Sequence, residues 1–272
     1  MEKMRRALRV RLCVLCLLAL ALPLAANAQE QFTEWVEMPD GVPLATEVYL
    51  PEGTGPWPVV LVRTHYGRLD TSQIHVGPPS IFTEDGYAHV AQDTRGTGDS
   101  DGEFDFANDT PDGHATVNWI ADQPWCDGTI EVGGMSAGGQ TTHALAAGAP
   151  DAVKALRSES ASPDPYHHAA FQGGVFRWDY MGVWMLAMGF EDRIEEVLEH
   201  RLLDEYWQPY QWIDRADQVH TPMLHVGGWY DIALQGALDG FREFQHRGGD
   251  GARGNQYLIV GPWTHEFWNS NG

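Results

Sequence analysis

The segment Gly134-Met135-Ser136-Ala137-Gly138 is a Gly-x-Ser-x-Gly pentapeptide, and it constrains the fold of this chain more than any other segment. A short apolar run, 130–133, precedes it, and a stretch of small residues, 139–148, that could form a helix follows it. Strand, tight turn and helix in this order make a nucleophile elbow, in which the strained turn holds the serine hydroxyl clear of the sheet edge. The pentapeptide alone is equally compatible with a glycine-rich turn that has no chemical role, so the rest of the chain has to decide.

Apolar runs of strand length alternate with helical patterns along most of the chain. Residues 31–50, which contain the turn Pro39-Asp40-Gly41, predict an antiparallel hairpin. Further strands are predicted at 59–62, 88–91, 130–134, 153–157, 223–226 and 257–260, and helices at 112–122 and 233–246. The alternation predicts an α/β fold with a mostly parallel sheet and helices on both faces.

The segment 161–218 interrupts this alternation, because it is rich in aromatic residues and methionine at helical spacing. We predict a helical cap inserted over the carboxyl edge of the sheet, where open parallel sheets bind ligands. The alternative is a structural cover whose aromatic residues form only a core. Candidates for the substrate pocket are Phe171, Phe176 and Trp178 in this segment, and Trp229 and Trp263 after two later strands.

The N-terminus has the pattern of a secretory signal peptide. Five basic residues between Lys3 and Arg11 precede an apolar stretch, 12–22, and Ala26-Asn27-Ala28 resembles a cleavage site. A membrane anchor is the alternative, but the apolar stretch is short for a membrane span. We therefore predict a signal peptide at 1–28 and a secreted or periplasmic catalytic domain at 29–272, with no membrane association after cleavage.

Charge and cysteine content narrow the possible partners. The chain has 272 residues, with 17 Lys and Arg against 38 Asp and Glu, and a formal net charge of −21. Such a field repels nucleic acid, so we predict no nucleic-acid partner. Cys13 and Cys16 lie in the predicted signal peptide, which leaves only Cys126 and no intrachain disulfide. Cys126 is interpreted as a buried small hydrophobe rather than a nucleophile.

A serine nucleophile needs a base and an orienting acid, which follow an elbow of this kind in the order Ser, acid, His. Asp231 comes directly after the strand predicted at 223–226, and His265 comes shortly after the strand predicted at 257–260. Both side chains are therefore expected at the carboxyl edge of the sheet. The other candidates lie in helical segments or near a helix end and are interpreted as surface groups: Asp214, Asp217, Glu243 and His246.

An oxyanion hole requires two hydrogen-bond donors. The backbone N–H of Ala137, directly after the serine, supplies one. The loop 63–68 is expected to supply the other, either from a backbone N–H or from the hydroxyl of Tyr66. The histidines lack the spacing of metal ligands, and no lysine follows Gly96-Thr97-Gly98, so we predict no metal, nucleotide or other cofactor.

The chain resembles the cocaine esterase / X-prolyl dipeptidyl-peptidase (CocE/NonD) family of α/β-hydrolases in six segments: 62–66, 92–102, 125–128, 133–139, 228–231 and 261–265. The most specific are Asp-x-Arg-Gly-x-Gly-x-Ser at 93–100 and Gly-Pro-Trp-x-His at 261–265. The resemblance extends over nearly all of residues 29–272. It implies the α/β-hydrolase fold with a helical cap, and a structural loop at 93–102 held by Arg95 and Asp99.

By this resemblance Ser136 is the nucleophile, Asp231 the orienting acid and His265 the base. The Tyr66 hydroxyl and the Ala137 amide then form the oxyanion hole. Three departures stand out. Family members usually carry a tyrosine where this chain has Ala137, and a small residue where it has Glu266. They also continue into a C-terminal β jelly-roll domain, which this chain is expected to lack, either as a fragment or because that domain is a separate chain.

These observations predict an exported serine hydrolase that cleaves a small-molecule ester, amide or peptide through an acyl-enzyme on Ser136. An X-Pro dipeptidyl-peptidase is the alternative of the same class, but it needs a site for the peptide N-terminus that the sequence does not locate. Residues 232–234 after Asp231 carry no carboxylate, which disfavours an acyl group with a free amine. A non-catalytic binding domain on a hydrolase scaffold is the alternative of another class.

Overall fold

The computed structural model describes residues 30–70 and 78–265. The predicted signal peptide, with Cys13 and Cys16, lies outside the described residues, and so does Glu266. No helix in the described part of the chain is both long enough and apolar enough to span a bilayer.

One sheet of eight strands organises the described residues. The strands are β1 (Glu30–Glu37), β2 (Pro43–Leu50), β3 (Trp57–Thr64), β4 (Ala88–Asp93), β5 (Cys126–Met135), β6 (Val153–Glu159), β7 (Met223–Gly228) and β8 (Gln256–Gly261). Their spatial order is β1-β2-β4-β3-β5-β6-β7-β8. β2 pairs antiparallel with β1 and β4, whereas all the other neighbouring pairs are parallel. The predicted hairpin and the mostly parallel sheet are therefore confirmed.

Six α-helices connect or flank these strands within the described residues. They are α1 (Ser80–Thr83), α2 (Asp109–Ala121), α3 (Ala137–Ala146), α4 (Val183–Ala187), α5 (Asp192–Glu199) and α6 (Leu234–Arg247). The helices predicted at 112–122 and 233–246 correspond to α2 and α6. The small-residue stretch after Ser136 forms α3, whose ten residues are all buried. Small side chains let α3 lie close against the sheet between β5 and β6.

The main hydrophobic core lies between the central strands and the helices α2, α3 and α6. Leu61, Val90, Ile130, Leu145 and Phe244 are each completely buried in it. Each such side chain stabilises the fold by about 1.5–3 kcal/mol relative to an exposed position. Cys126 packs against this core as a half-buried rather than a fully buried residue. Burial raises the pKa of its thiol, which disfavours the thiolate.

Helical turns fill the chain between β6 and β7. α4 and α5 lie there with two π-helical turns, Tyr166–Ala170 and Trp178–Gly182, and three 3₁₀ turns, Gln172–Gly174, Gln208–Tyr210 and Trp212–Gln218. We call residues 161–218 the cap. The cap has an apolar core of its own, which includes Tyr166, Phe171, Met185 and Trp207.

The loop 93–102 is held by two arginines. Arg95 lies 2.7 Å from carboxylate oxygens of both Asp112 and Asp40. Arg68 lies 2.8 Å from Asp93 and from Asp99. Arg95 and Asp99 thus hold the loop through different partners. Arg95 binds Asp40 and Asp112, whereas Asp99 binds Arg68 in the loop that follows β3.

Candidate active site

Ser136 occupies a strained turn between β5 and α3. Its backbone angles are φ 57° and ψ −123°, a region that side-chain-bearing residues rarely adopt. A Cβ on Gly134 would overlap the Gly138 carbonyl, and a Cβ on Gly139 would come within 2.6 Å of Ala161 Cβ. The two glycines therefore make the sharp strand-to-helix turn possible, as the pentapeptide predicts.

The structure brings Ser136, His265 and Asp231 together at the carboxyl ends of β5, β8 and β7. The Ser136 Oγ lies 2.9 Å from His265 Nε2, and His265 Nδ1 lies 2.9 Å from Asp231 Oδ1. Ser136 and Asp231 are buried, whereas the His265 side chain is 26 % exposed. The imidazole therefore connects a buried carboxylate to a serine that faces a pocket.

Asp231 is held as a carboxylate by several donors. Besides His265, the Ala233 amide donates to Oδ1 at 2.8 Å, and the Ser160 hydroxyl donates to Oδ2. Burial raises the pKa of Asp231, but the hydrogen bonds from His265, Ser160 and Ala233 outweigh it and hold the pKa below its usual value. Sequence reasoning missed Ser160. No local motif marks it, although its unusual φ of 47° at the end of β6 is visible in the structure.

Two groups beside Ser136 fit the predicted oxyanion hole. The Tyr66 hydroxyl lies 3.4 Å from Ser136 Oγ. Ala137 is the first residue of α3, and N–H groups in the first turn of a helix have no acceptor within the helix. The partial positive charge at a helix N-terminus also favours an anion there. The structure thus places Tyr66 and Ala137 on one site with Ser136.

A small pocket opens beside the serine, with room for about 20 Å³. That volume accommodates about one water molecule. We call this cavity the Ser136 pocket. Its lining residues are Phe106, Ser136, Ala137, Gln140, Ala169, Tyr180, Met181 and Trp184. The cap contributes Ala169, Tyr180, Met181 and Trp184, so it closes directly over the nucleophile.

The aromatic residues predicted for the pocket do not line it. Phe171 is 2 % exposed and packs inside the cap core against Phe176 and Trp207. Trp178 and Trp229 are exposed, and Trp263 is half-buried beside Gly261. Several of the aromatic residues at helical spacing form the apolar core of the cap. The spacing did not indicate which residues turn toward the sheet.

Tyr180 and Trp184 are aromatic residues of the cap that line the pocket and that sequence reasoning missed, and Phe106, outside the cap, is a third. Tyr180 lies in the π-helical turn, with its ring 6.1 Å from the His265 ring, and it lines the same pocket as Ser136. Burial raises the pKa of Tyr180 well above its usual value, so the phenol is neutral. Trp184 donates its indole N–H to the Tyr66 hydroxyl at 3.0 Å. Both positions belong to the aromatic-rich segment, whose composition was the only available signal.

The remaining acidic and histidine candidates do not join this constellation. Asp214 and Asp217 lie in the 3₁₀ turn before β7. On α6, Glu243 pairs with Arg242 and Arg247, and His246 is exposed on the last turn. Across residues 30–70 and 78–265, no group of three or more His, Cys, Asp or Glu side chains is arranged to hold a metal ion.

Several known proteins are similar in sequence. The model of the X-Pro dipeptidyl-peptidase (S15) family matches residues 40–194 and 190–266. Cocaine esterase from Rhodococcus sp. is 30% identical over 280 residues, covering 85% of this chain and 48% of that protein. A putative serine esterase from Mycobacterium tuberculosis is 30% identical over 193 residues, covering 63% of this chain and 30% of that protein. The chain thus spans half or less of the length of these relatives.

Solved structures share the fold. A CocE/NonD family hydrolase from Staphylococcus aureus superposes with a TM-score of 0.78 at 22% identity, covering 89% of this chain and 48% of that one. An α-amino acid ester hydrolase gives 0.72 at 22% identity, with coverage of 91% and 50%. An esterase from Pyrococcus furiosus gives 0.61 at 16% identity, with coverage of 88% and 85%. The sequence resemblance and the α/β-hydrolase fold are therefore confirmed, and the chain belongs to the X-Pro dipeptidyl-peptidase (S15) family, alongside relatives of the CocE/NonD type.

Proposed function

We propose that this protein is a serine hydrolase that cleaves carboxylic esters or amides through an acyl-enzyme on Ser136. The hydrogen-bonded series from Ser136 Oγ through His265 to Asp231 is the observation that carries the proposal. A serine hydroxyl is a weak nucleophile without an adjacent base, and a base is effective only when a third group orients it. Both requirements are met by side chains within hydrogen-bond distance.

The reaction proceeds in two halves. As Ser136 Oγ bonds to the substrate carbonyl carbon, its proton passes to His265 Nε2, and Asp231 stabilises the resulting imidazolium. The carbonyl oxygen becomes an oxyanion that accepts hydrogen bonds from Tyr66 and from the Ala137 amide. When this intermediate collapses, the leaving alcohol or amine takes the proton from His265. Water then repeats the sequence on the acyl-enzyme, releasing the acid and free Ser136.

The Ser136 pocket favours a small apolar acyl group. Aromatic and methionine side chains make up half of its lining residues, two more are alanines, and its volume is about that of one water. Ala137 contributes only a methyl group to this wall.

The same lining argues against an X-Pro dipeptidyl-peptidase. Such an enzyme has to bind the ammonium group of the peptide N-terminus, which calls for a carboxylate near the nucleophile. None of the described residues that line the Ser136 pocket is acidic. A purely binding role is also disfavoured, because it would leave the strained Ser136 and the buried, ionised Asp231 without a purpose that offsets their cost.

Export completes the proposal. The basic, apolar and small-residue regions of residues 1–28 support cleavage before Gln29 and a periplasmic or secreted protein. N-terminal sequencing of the protein recovered from periplasm and medium tests this directly. A mature protein that still begins at Met1 contradicts it.

Hydrolysis assays test the proposed activity. p-Nitrophenyl acetate represents a small ester, and Ala-Pro-p-nitroanilide represents an X-Pro substrate. We expect turnover of the ester that disappears in Ser136→Ala and persists in His246→Asn, a control on the exposed end of α6. Full activity of Ser136→Ala would contradict the mechanism, and preferential turnover of the anilide would favour the peptidase alternative.

A further inference from the structure

We propose that Trp184 is a positioning residue that fixes the direction in which Tyr66 donates its hydroxyl hydrogen. This inference rests on the proposed function, because it concerns the oxyanion donor of that reaction. Trp184 lies on α4 in the cap, whereas Tyr66 follows β3 in the sheet. The indole Nε1 of Trp184 donates a hydrogen bond of 3.0 Å to the Tyr66 oxygen, so a residue of the cap contacts the predicted oxyanion donor directly.

The bond continues a longer series. The Tyr66 hydroxyl lies 3.4 Å from Ser136 Oγ, which lies 2.9 Å from His265 Nε2, and His265 Nδ1 lies 2.9 Å from Asp231. A hydroxyl can donate or accept, so distances alone do not set the direction of hydrogen bonding. The two ends of the series do set it.

Each end has only one role. An indole N–H is a donor only, so Tyr66 has to accept from Trp184. An ionised carboxylate is an acceptor only, so the Nδ1–H of His265 donates a hydrogen bond to Asp231. The Nε2 of His265 then carries no hydrogen and accepts the hydrogen bond from Ser136. The Tyr66 hydrogen therefore points away from Trp184, toward Ser136 Oγ. During the reaction the oxyanion forms on the carbon attached to that same Oγ, so the donor is already directed at the reacting centre.

The surroundings hold the indole in this orientation. The Trp184 ring stacks on Phe106 with ring centroids 5.6 Å apart at 24°. It meets His65 edge-on at 5.8 Å and packs against Phe190 in a tilted arrangement, also at 5.8 Å. Ordered neighbours on several sides restrict the rotamers of a large planar side chain. A donor on the phenol oxygen also polarises its O–H bond, which makes Tyr66 a stronger donor to a developing negative charge.

Replacing the indole tests this role. Trp184→Phe keeps an aromatic ring but removes the N–H, and we expect kcat for p-nitrophenyl acetate to fall about tenfold while KM changes less than about twofold, since one hydrogen bond to the oxyanion donor is lost. 3-Benzothienylalanine at position 184 has nearly the shape of the indole but lacks the N–H. If Trp184→Phe folds poorly, this variant tests the same point, and we expect the same loss of kcat. The affinity for phenylboronic acid, which forms a tetrahedral adduct on the serine, should fall in parallel with kcat.

A double-variant cycle separates positioning from simple packing. In Tyr66→Phe the indole has no hydroxyl to orient, so Trp184→Phe should lower kcat no further in that background. Trp207→Phe is the matched control, because the Trp207 indole donates to the His200 carbonyl at 2.7 Å within the cap, and its kcat should be unchanged. Unchanged kcat in the two position-184 variants, or a full additional loss in the double variant, would overturn the inference. Unchanged kcat in Tyr66→Phe would overturn it as well, but it would leave the proposed function standing, which an active Ser136→Ala would overturn.

Discussion

Ser160 donates its hydroxyl hydrogen to Asp231 at Oδ2, the carboxylate oxygen that His265 does not contact. Both residues are buried, and the Asp231 side chain has no exposed surface. A carboxylate removed from water is destabilised unless its oxygens find donors. Ser160 therefore supplies part of what keeps Asp231 ionised and aligned with the imidazole.

We predict that Ser160→Ala lowers kcat without changing KM. A hydrogen bond to a charged group contributes about 1.5–3 kcal/mol, so a loss of about tenfold to a hundredfold in kcat is the expected range. Without this donor the pKa of Asp231 rises, because its carboxylate is less stabilised and more basic. A more basic carboxylate favours the protonated form of the adjacent imidazole, so the acid limb of the kcat/KM profile should move to higher pH. Steady-state kinetics between pH 5 and pH 9 measure both effects. An unshifted acid limb with unchanged kcat would mean that Ser160 is only a structural neighbour.

The strain at Ser136 predicts a reversal of the usual stability order of alanine and glycine. With φ at 57° and ψ at −123°, a Cβ is unfavourable at this position. Ser136→Gly should therefore be more stable than Ser136→Ala by about 1 kcal/mol, although both are inactive. Urea unfolding of the two variants measures the difference. Greater stability of the alanine variant would show that the elbow is not strained.

We predict that the Met181 side chain limits the length of the acyl group that enters the Ser136 pocket. Met181 lines the Ser136 pocket, whereas Met185 is buried in the cap away from it. Met181→Ala should raise kcat/KM for p-nitrophenyl hexanoate relative to the acetate by about tenfold, since it makes room for about two more methylenes at about 0.8 kcal/mol each. Met185→Ala removes the same atoms at a position that does not line this pocket and should leave the ratio unchanged. Equal ratios in both variants and the parent would mean that this pocket does not receive the acyl group.

Buried histidines predict a loss of stability in mild acid. Burial lowers the pKa of His65 to about 3 and of His89 and His225 to about 4, and it lowers that of His143 well below its usual value. Between about pH 4 and pH 6.5 the unfolded chain binds these protons and the folded chain does not, so stability falls as the pH falls. Asp109 opposes this trend in part, because burial raises its pKa to about 7 and the folded state keeps its proton. The histidines outnumber it, so a net decrease is expected.

His89 offers the sharpest test of this pH dependence. Neither of its ring nitrogens has a hydrogen-bond partner among the described residues, and its ring packs between Tyr49 and Phe82. His89→Phe should therefore flatten the pH dependence of the unfolding free energy by about 1.4 kcal/mol per pH unit in this range, equivalent to one proton. His246→Asn, at an exposed position, should leave the slope unchanged. A slope that is the same in His89→Phe as in the parent would contradict the prediction.

The sequence was sufficient to predict the placement of Ser136, Asp231 and His265, because each follows a strand and the carboxyl ends of parallel strands meet at one edge. It was not sufficient for Tyr180, Trp184 or Ser160. The inward direction of Tyr180 depends on a π-helical turn, for which no hydrophobic period gives a signal. Conversely, Phe171 is an aromatic residue in the segment predicted to cover the site, but tertiary packing places its side chain inside the cap core.

Labelling with a fluorophosphonate tests the central claim most directly, because the probe reacts with a serine only where a base and an oxyanion hole activate it. The full chain is treated after its folding is confirmed by circular dichroism, and the adduct is located by mass spectrometry. We predict one adduct, on Ser136, that is absent in His265→Ala and retained in His246→Asn. A folded protein that carries no adduct, or carries it on another serine, would contradict the account.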